Sequence, residues 1–584
     1  MKRTILALVA LVLMTSTLLA SNYQKTYLMS DAVWQKTNRL CIMNGVLGPT
    51  PVSPTSGENI LRALKRLKYN SLSARDKRTY DEVMAELNAT AEKAQYKDDE
   101  YAFRVSVDGA LEAYAFNNTK STYYNEFFLP YKDRPAMVGV EAEILFGDNL
   151  YLDFRYDLQD NSEGFYDDGV NFSKHDYGYY YNFSNFSSLL SPRYDGDWDI
   201  FMVQSDDNSH NMFNHTPLKA GASFGNRTYN FFIGRNRQAF GNGQTGNLVI
   251  GDNFPFQEFM KFEASSDFIT YELSITHFDN TQGDGTGGFT LNGEHQNRTM
   301  QRIDLNFSNR LRLAMNLGGM FNTDSPLDWR LVMPMAMVHN WVNNKEEVEL
   351  VAGDEGNNIM GFELEYVIRR GLFASAQIVI DQFQLAVEEG STVPNAVGLM
   401  ANITKYDQKE HGLFESQAEF IYTSPFLYLN TKYRTGTTTN HYGYDWIVGY
   451  AYDGSYSLDY SGHPFGPGTV GINLRETYYS DKGYQIAGNI LYKIHGNKGI
   501  NYGYKDTHNQ NQESQGDIGC SSDAMWPTGH IEHTLRFDLG VSYPINENLT
   551  ARVQAASISQ WNYHNIEGEF KQSIQGAFGI RWVL

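Results

Sequence analysis

Cysteine is nearly absent, with only Cys41 and Cys520 in 584 residues. That excludes a disulfide-stapled scaffold and a cysteine-rich zinc domain. Long apolar runs are missing as well. The run from Ile5 to Met14 is shorter than the roughly 20 residues that a helical membrane span needs. Positive charge is in deficit, with 47 Lys and Arg against 68 Asp and Glu and a net charge of -21. No basic stripe offsets it, so nucleic acid is not expected as a partner, and an anionic polymer would be repelled unless bound locally.

Residues 1–20 combine Lys2 and Arg3, the short apolar run, and small or polar residues ending at Ala20. This pattern predicts a secretory signal peptide. No Cys follows the expected cleavage point, so a lipoprotein anchor is not expected. Export leaves two classes, a periplasmic protein or a barrel, and composition separates them. There are 39 Tyr, 35 Phe and 51 Gly, while the charged fraction is an ordinary 20%. Aromatic residues serve the lipid interfaces of a barrel, and Gly serves its turns and crowded strands.

The decisive pattern lies after Gly147. Leu150, Leu152, Phe154, Tyr156 and Leu158 share one face of a strand, and Tyr151, Asp153, Arg155, Asp157 and Gln159 share the other. A soluble core would bury the charged face unpaired or expose the apolar face to water. Lipid outside and a wet lumen inside accommodate both. The same design recurs at Met360 to Tyr366, at Ala374 to Asp381, and at Ile574 to Leu584 with Gln575 and Arg581 opposite. Strand starts near residues 101, 135, 149, 216, 228, 258, 267, 299, 311, 357, 372, 395, 412, 466, 482, 530, 547 and 572 give about eighteen strands. Connections then alternate between short turns and long loops, the asymmetry of an outer-membrane barrel. The expected fold class is therefore all-β, a transmembrane antiparallel β-barrel over residues 101–584. On this register Phe154 or Ile378 should not tolerate Arg, whereas Asp153 or Gln377 should.

Residues 21–100 read differently. Thr55 or Ser56 can cap a helix carrying Ile60, Leu64 and Leu67, and Ser73 with Asp76 forms a capping pattern before Tyr80, Val83, Met84 and Leu87. Two amphipathic helices follow, placed as a periplasmic module joined through the charged stretch 92–100, with a lumen plug as the alternative. On this topology Cys41 starts on the periplasmic side and Cys520 lies in an outer loop, so both are expected unpaired.

The long external loops fall at roughly 160–215, 237–257, 279–298, 322–356, 424–465 and 496–529. Two are rich in aromatic rings beside amides and carboxylates, a set that suits the C–H faces and hydroxyls of sugars. Tyr179 and Tyr181 in the first, and Tyr444 and Trp446 in the fifth, are the candidate stacking residues. Most rings in these loops should instead pack loop on loop. The loop 322–356, with Trp329, Leu331, Met333 and Met335, is too apolar for water and should fold inward or add a strand. Arg235 and Arg237 stand at the outer end of a strand, and carboxylates nearby favour structural ion pairing over contact with an acidic sugar.

Several motifs match only on paper. Gly221-Ala222-Ser223-Phe224-Gly225 has the hydrolase spacing, yet a second strand follows it where a helix is needed. Gly283, Gly285 and Gly288 lack the helix that phosphate binding requires. His339, His441, His463, His530 and His533 have no metal-ligand spacing, and Asp279 and Asp284 lack that of a calcium loop. No cofactor and no metal are expected, and no nucleophile and base pair emerges.

Three blocks of sequence together resemble the Wzi family, outer-membrane barrels of capsule assembly. They are Ile233 to Gln238 with Phe240-Gly241-Asn242-Gly243 and Gly246 to Asn253, then Met333 to Trp341, and then Gly462-His463-Pro464-Phe465-Gly466. The strands Asn358 to Tyr366 and Phe373 to Gln382 and the helical start from Pro54 to Leu67 are similar too. Ala239-Phe240 departs from the family, whose turn usually carries a Trp pair there. The resemblance implies an eighteen-stranded barrel with a closed lumen that attaches surface polysaccharide and is not an enzyme. A porin or substrate-specific diffusion channel is the competing expectation, motivated by the inward charges Glu141, Glu143, Asp153, Arg155, Glu363 and Glu365.

Overall fold

The computed structural model describes residues 22–98, 100–117, 128–129, 131–158, 217–283, 289–323, 327, 329–335, 356–382, 395–429, 446–452, 455–498 and 524–584. Among them, eighteen antiparallel strands form a closed barrel, from Tyr101–Phe116 round to Phe570–Val583. Closure is direct, since Asp108 to Phe116 pair with Val583 to Gln575. No helix among the described residues is long and apolar enough to cross a membrane.

Alternation sets which face is which. Phe154, Phe362, Leu364, Ile378 and Ile574 are exposed, while their neighbours Asp153, Glu363, Gln377 and Gln575 are buried. Facing rungs agree, with Phe362 opposite Ile378 and Glu363 opposite Gln377. An outer apolar surface with a polar interior is stable where the solvent outside is lipid. The chain is therefore a bacterial outer-membrane barrel. The segment 221–225 belongs to the strand Lys219–Gly225, which turns directly into Tyr229–Asn236, so the hydrolase spacing sits on a hairpin.

One boundary differs. The strands Ile269–Gly283 and Phe289–Ser308 pair as far as Gly283 with Phe289, so most of 279–298 is ladder and not outer loop. Residues such as Thr281, Gln282 and Thr290 carry no apolar alternation, because strand ends that rise above lipid need none.

At the short-turn end lie four helices, α1 (Ala32–Met43), α2 (Gly57–Lys65), α3 (Ala74–Leu87) and the single turn α4 (Ala89–Glu92). The Asp76 N–H donates to Ser73 Oγ at 3.1 Å, capping α3. Sequence pattern missed α1 because polar Thr37 fills its buried stripe, its hydroxyl donating to Val33 O at 2.7 Å. Trp34, Leu40, Cys41, Ile60, Leu64 and Val83 make the shared core. Cys41 is free and fully buried there, and burial pushes its thiol up to about 12. Cys520 lies outside the described residues. The stretch 92–100 is not a free linker, since Tyr96–Lys97 pairs with Phe103 and Ala102 of the first barrel strand.

The helices are tied to the short turns, and the chain between α1 and α2 enters the barrel. Leu47 N–H donates to Asn309 O at 2.7 Å and Gly371 N–H to Ile42 O at 3.0 Å. Deeper in, Arg312 Nη2 donates to Gly48 O at 3.0 Å and Lys261 Nζ to Pro54 O at 2.5 Å. Val52–Ser53 then pairs with Ala239–Phe240. The helices thus lie at the short-turn end of the barrel and their connecting strand lies in the lumen.

Candidate functional site

Most of the long loops fall outside the described residues, and so do Tyr179, Tyr181 and Tyr444. What the structure does describe is the lumen, into which loop segments pack against the wall strands between Ile269 and Thr423. The segment 237–257, expected outside, turns inward. Gly241 has φ +116°, and a Cβ there would lie 2.0 Å from Gln377 Nε2, so only Gly lets the loop approach the wall this closely. The wall then pins the loop. Gln377 Oε1 accepts from Leu248 N–H at 2.9 Å and its Nε2 donates to Asn247 Oδ1 at 2.8 Å. Glu419 accepts from Gln244 N–H at 2.6 Å, Thr245 N–H at 3.0 Å and the Thr245 hydroxyl at 2.6 Å.

A second loop locks the first. The Tyr428 hydroxyl donates to Leu248 O at 2.6 Å and accepts from His463 N–H at 2.9 Å. Asn253 Nδ2 donates to Tyr460 O and to Gly462 O, both at 2.7 Å. A Cβ on Gly462 would lie 2.5 Å from both Leu248 O and the Tyr428 ring, which explains the residue. His463 Nδ1 accepts from Phe465 N–H at 3.2 Å, which leaves its Nε2–H to donate to Thr245 Oγ1 at 3.1 Å. Burial and then Lys493 push this imidazole down to about 3, so it is neutral. The 235–253 and 462–466 blocks that carry the family resemblance therefore meet inside the barrel.

Around these contacts lies an apolar core. Phe240, Leu248, Ile250, Leu427 and Trp446 from the loops pack on Met300, Met320, Ile359, Val379, Met400 and Ile421 from the wall. Val52 joins them from the N-terminal strand. The expectation of a wet lumen is corrected at this level, because these inward apolar wall residues are the seat of a plug. Trp446 is corrected with it. It is fully buried and its indole N–H donates to Val249 O at 2.9 Å, so its ring meets protein and not a sugar.

The inward charges are paired. Glu143 accepts from Lys25 at 2.6 Å and Arg104 at 3.2 Å, and Lys219 bridges Glu141 at 2.7 Å and Asp153 at 2.8 Å. Arg155 reaches Asp108 at 2.6 Å and Asp157 at 2.8 Å. Arg302 holds Glu363 at 2.5 Å and Asp304 at 2.8 Å, and Arg312 holds Glu365 at 2.6 Å. Breaking such a buried pair leaves an uncompensated charge, so these groups hold one another in place along the inner wall. Arg235 pairs with Glu258, donates to Pro217 O at 3.1 Å and covers the Phe256 ring at 4.2 Å. Arg237 pairs with Asp252 and reaches Asp133 at 3.2 Å. Burial opposes ionisation of Asp252, yet Lys132 and Arg237 hold its carboxyl below the usual range.

In the loop 322–356, expected to fold inward or add a strand, Leu331 is buried while Met333 and Met335 are exposed. Residues 336–355 lie outside the described set. No group of three or more His, Cys, Asp or Glu side chains placed to hold a metal occurs among the described residues.

The fold and lumen define an outer-membrane β-barrel with an internal plug. The known structure of Escherichia coli Wzi, described as an outer membrane protein involved in group 1 capsule assembly and a carbohydrate-binding β-barrel, superposes with a TM-score of 0.54 at 12% identity, over 95% of this chain and 98% of that one. The Acinetobacter baumannii channel DcaP gives 0.36 at 8% identity over 84% and 100%, and Pseudomonas aeruginosa OccK10 gives 0.40 at 8% over 82% and 99%. No family model matches the chain, and no curated protein sequence does.

Proposed function

We propose that this chain is a member of the Wzi family that binds surface polysaccharide and holds it at the outer membrane, and that it is not an enzyme. The observation that supports the reading is the plug, in which two loops and the N-terminal strand pack onto the inner wall where a diffusion channel needs water. The blocks 235–253 and 462–466, which carry the sequence resemblance, build that plug. Residues 1–20 act as the export signal, and the helices of residues 21–100 sit on the periplasmic side, where short barrel turns face. Tyr179, Tyr181 and Tyr444 supply stacking faces on the outer loops, since rigid rings lose little entropy on meeting sugar C–H faces.

The test is to delete the gene, restore it as wild type or with the three tyrosines changed to Ala, and measure cell-attached against shed polysaccharide. Deletion should release polysaccharide, and the triple variant should release it while still reaching the outer membrane. Equal retention with and without the protein would contradict the proposal.

A substrate-specific channel is the second reading, favoured by one observation. Gln257 Nε2, Glu272 Oε1, Ser274 Oγ and Arg298 Nε are buried on neighbouring strands without a hydrogen-bond partner among the described residues. Water threading past the plug would satisfy them. Ion conductance separates the two readings.

A further inference from the structure

Away from the lumen, a cleft of about 270 Å³ lies between α2 and the short turns of the barrel. Arg62, Lys65, Arg66 and Arg227 line it against only two carboxylates, Glu58 and Asp267. Arg62 is held in place by Arg227 O at 2.6 Å and Asp267 at 3.3 Å. Its Nε, however, is buried without a partner, and so is Arg66 Nη1. Burial and then the charge of Arg312 push the Arg66 guanidinium down to about 10, the mark of a cation short of counter-charge. Lys65 and Arg227 are exposed at the mouth.

The setting of this cleft narrows its ligand. Asp267 is followed by Phe268, 53% exposed, whose ring meets the equally exposed Phe307 edge to face at 6.1 Å. Tyr229, two residues beyond Arg227, is also exposed. Exposed aromatic residues at a barrel rim mark the depth where acyl chains give way to headgroups. A cationic cleft at that depth faces the phosphates of the inner leaflet, and Arg forks match phosphate oxygens.

We propose that this cleft binds the phosphate of an inner-leaflet phospholipid headgroup, with Arg66 and Arg227 as the principal ligands and the Phe268–Phe307 pair against the acyl chains. Binding completes the hydrogen bonds that Arg62 and Arg66 lack and fastens α2 to the barrel rim.

The test uses the full-length mature protein, delipidated in dodecyl maltoside and titrated with dioleoyl phosphatidylglycerol or with inorganic phosphate, with occupancy read by native mass spectrometry. Wild type should retain one phosphatidylglycerol, and Arg66→Gln/Arg227→Gln should bind it at least tenfold more weakly. Arg227→Gln alone, on an exposed turn, should weaken it severalfold with the folded mobility of the barrel on gels unchanged. Arg75→Gln, beyond the cleft, should bind as wild type does. Equal lipid binding by wild type and the single variant would overturn the site. Inorganic phosphate binding as tightly as the lipid would overturn the lipid assignment.

Discussion

Lowering pH should loosen the plug through His463. This imidazole is fully buried and its proton affinity is depressed to about 3, so a plug displaced into water, where the group titrates near its ordinary 6.5, binds more protons than the seated plug. Stability present above pH 6.5 is therefore lost as pH falls toward 3. At pH 5 the loss is about 2 kcal/mol, close to a thirtyfold shift toward the displaced state. The cause is local. Protonation places a second N–H at Nδ1 against the Phe465 N–H that it now accepts from, beside Lys493 and far from solvent. Single-channel recording in planar bilayers at pH 7.5 and pH 5 should show transient openings that grow by that order. In His463→Gln the pH dependence should vanish, although baseline openings rise because the bond to Thr245 is altered. Openings of equal frequency at both pH values in wild type, or an unchanged pH response in the variant, would refute the reasoning.

Trp446→Ala should remove about 3–5 kcal/mol of plug packing and raise open probability by at least a hundredfold, read in the same recordings with barrel assembly checked by heat-modifiable mobility. Ile378→Arg should cost about 2–4 kcal/mol near the bilayer midplane, measured by urea unfolding in lipid vesicles. Gln377→Arg, which strand alternation alone would tolerate, should instead unseat Leu248 and Asn247 and increase conductance while leaving the barrel closed.

The barrel was readable because lipid imposes a rule on every strand. A residue such as Phe154 or Ile378 has one permitted character, so eighteen strands announce themselves by alternation. The plug obeys no such rule. Segment 237–257 is rich in Gly and polar residues, and it reads as an external loop because its backbone N–H groups find their partners on the wall, Gln377 and Glu419 more than a hundred residues away. Trp446 reads as a stacking ring because it stands among tyrosines, whereas its indole N–H bonds to Val249 O across the lumen. For Arg235 and Arg237 the pairing partners Glu258 and Asp252 lie close in sequence, and ion pairing could be foreseen. The helix α1 went unseen because Thr37, a polar residue, fills its buried stripe.

Steady conductance of the purified wild-type protein in planar bilayers at neutral pH tests the central claim most directly. A lumen filled by Phe240, Leu248, Tyr428 and Trp446 on the apolar wall predicts insertions that add no lasting current. Stable open steps from correctly assembled barrels would contradict the packed lumen and transfer the case to the channel.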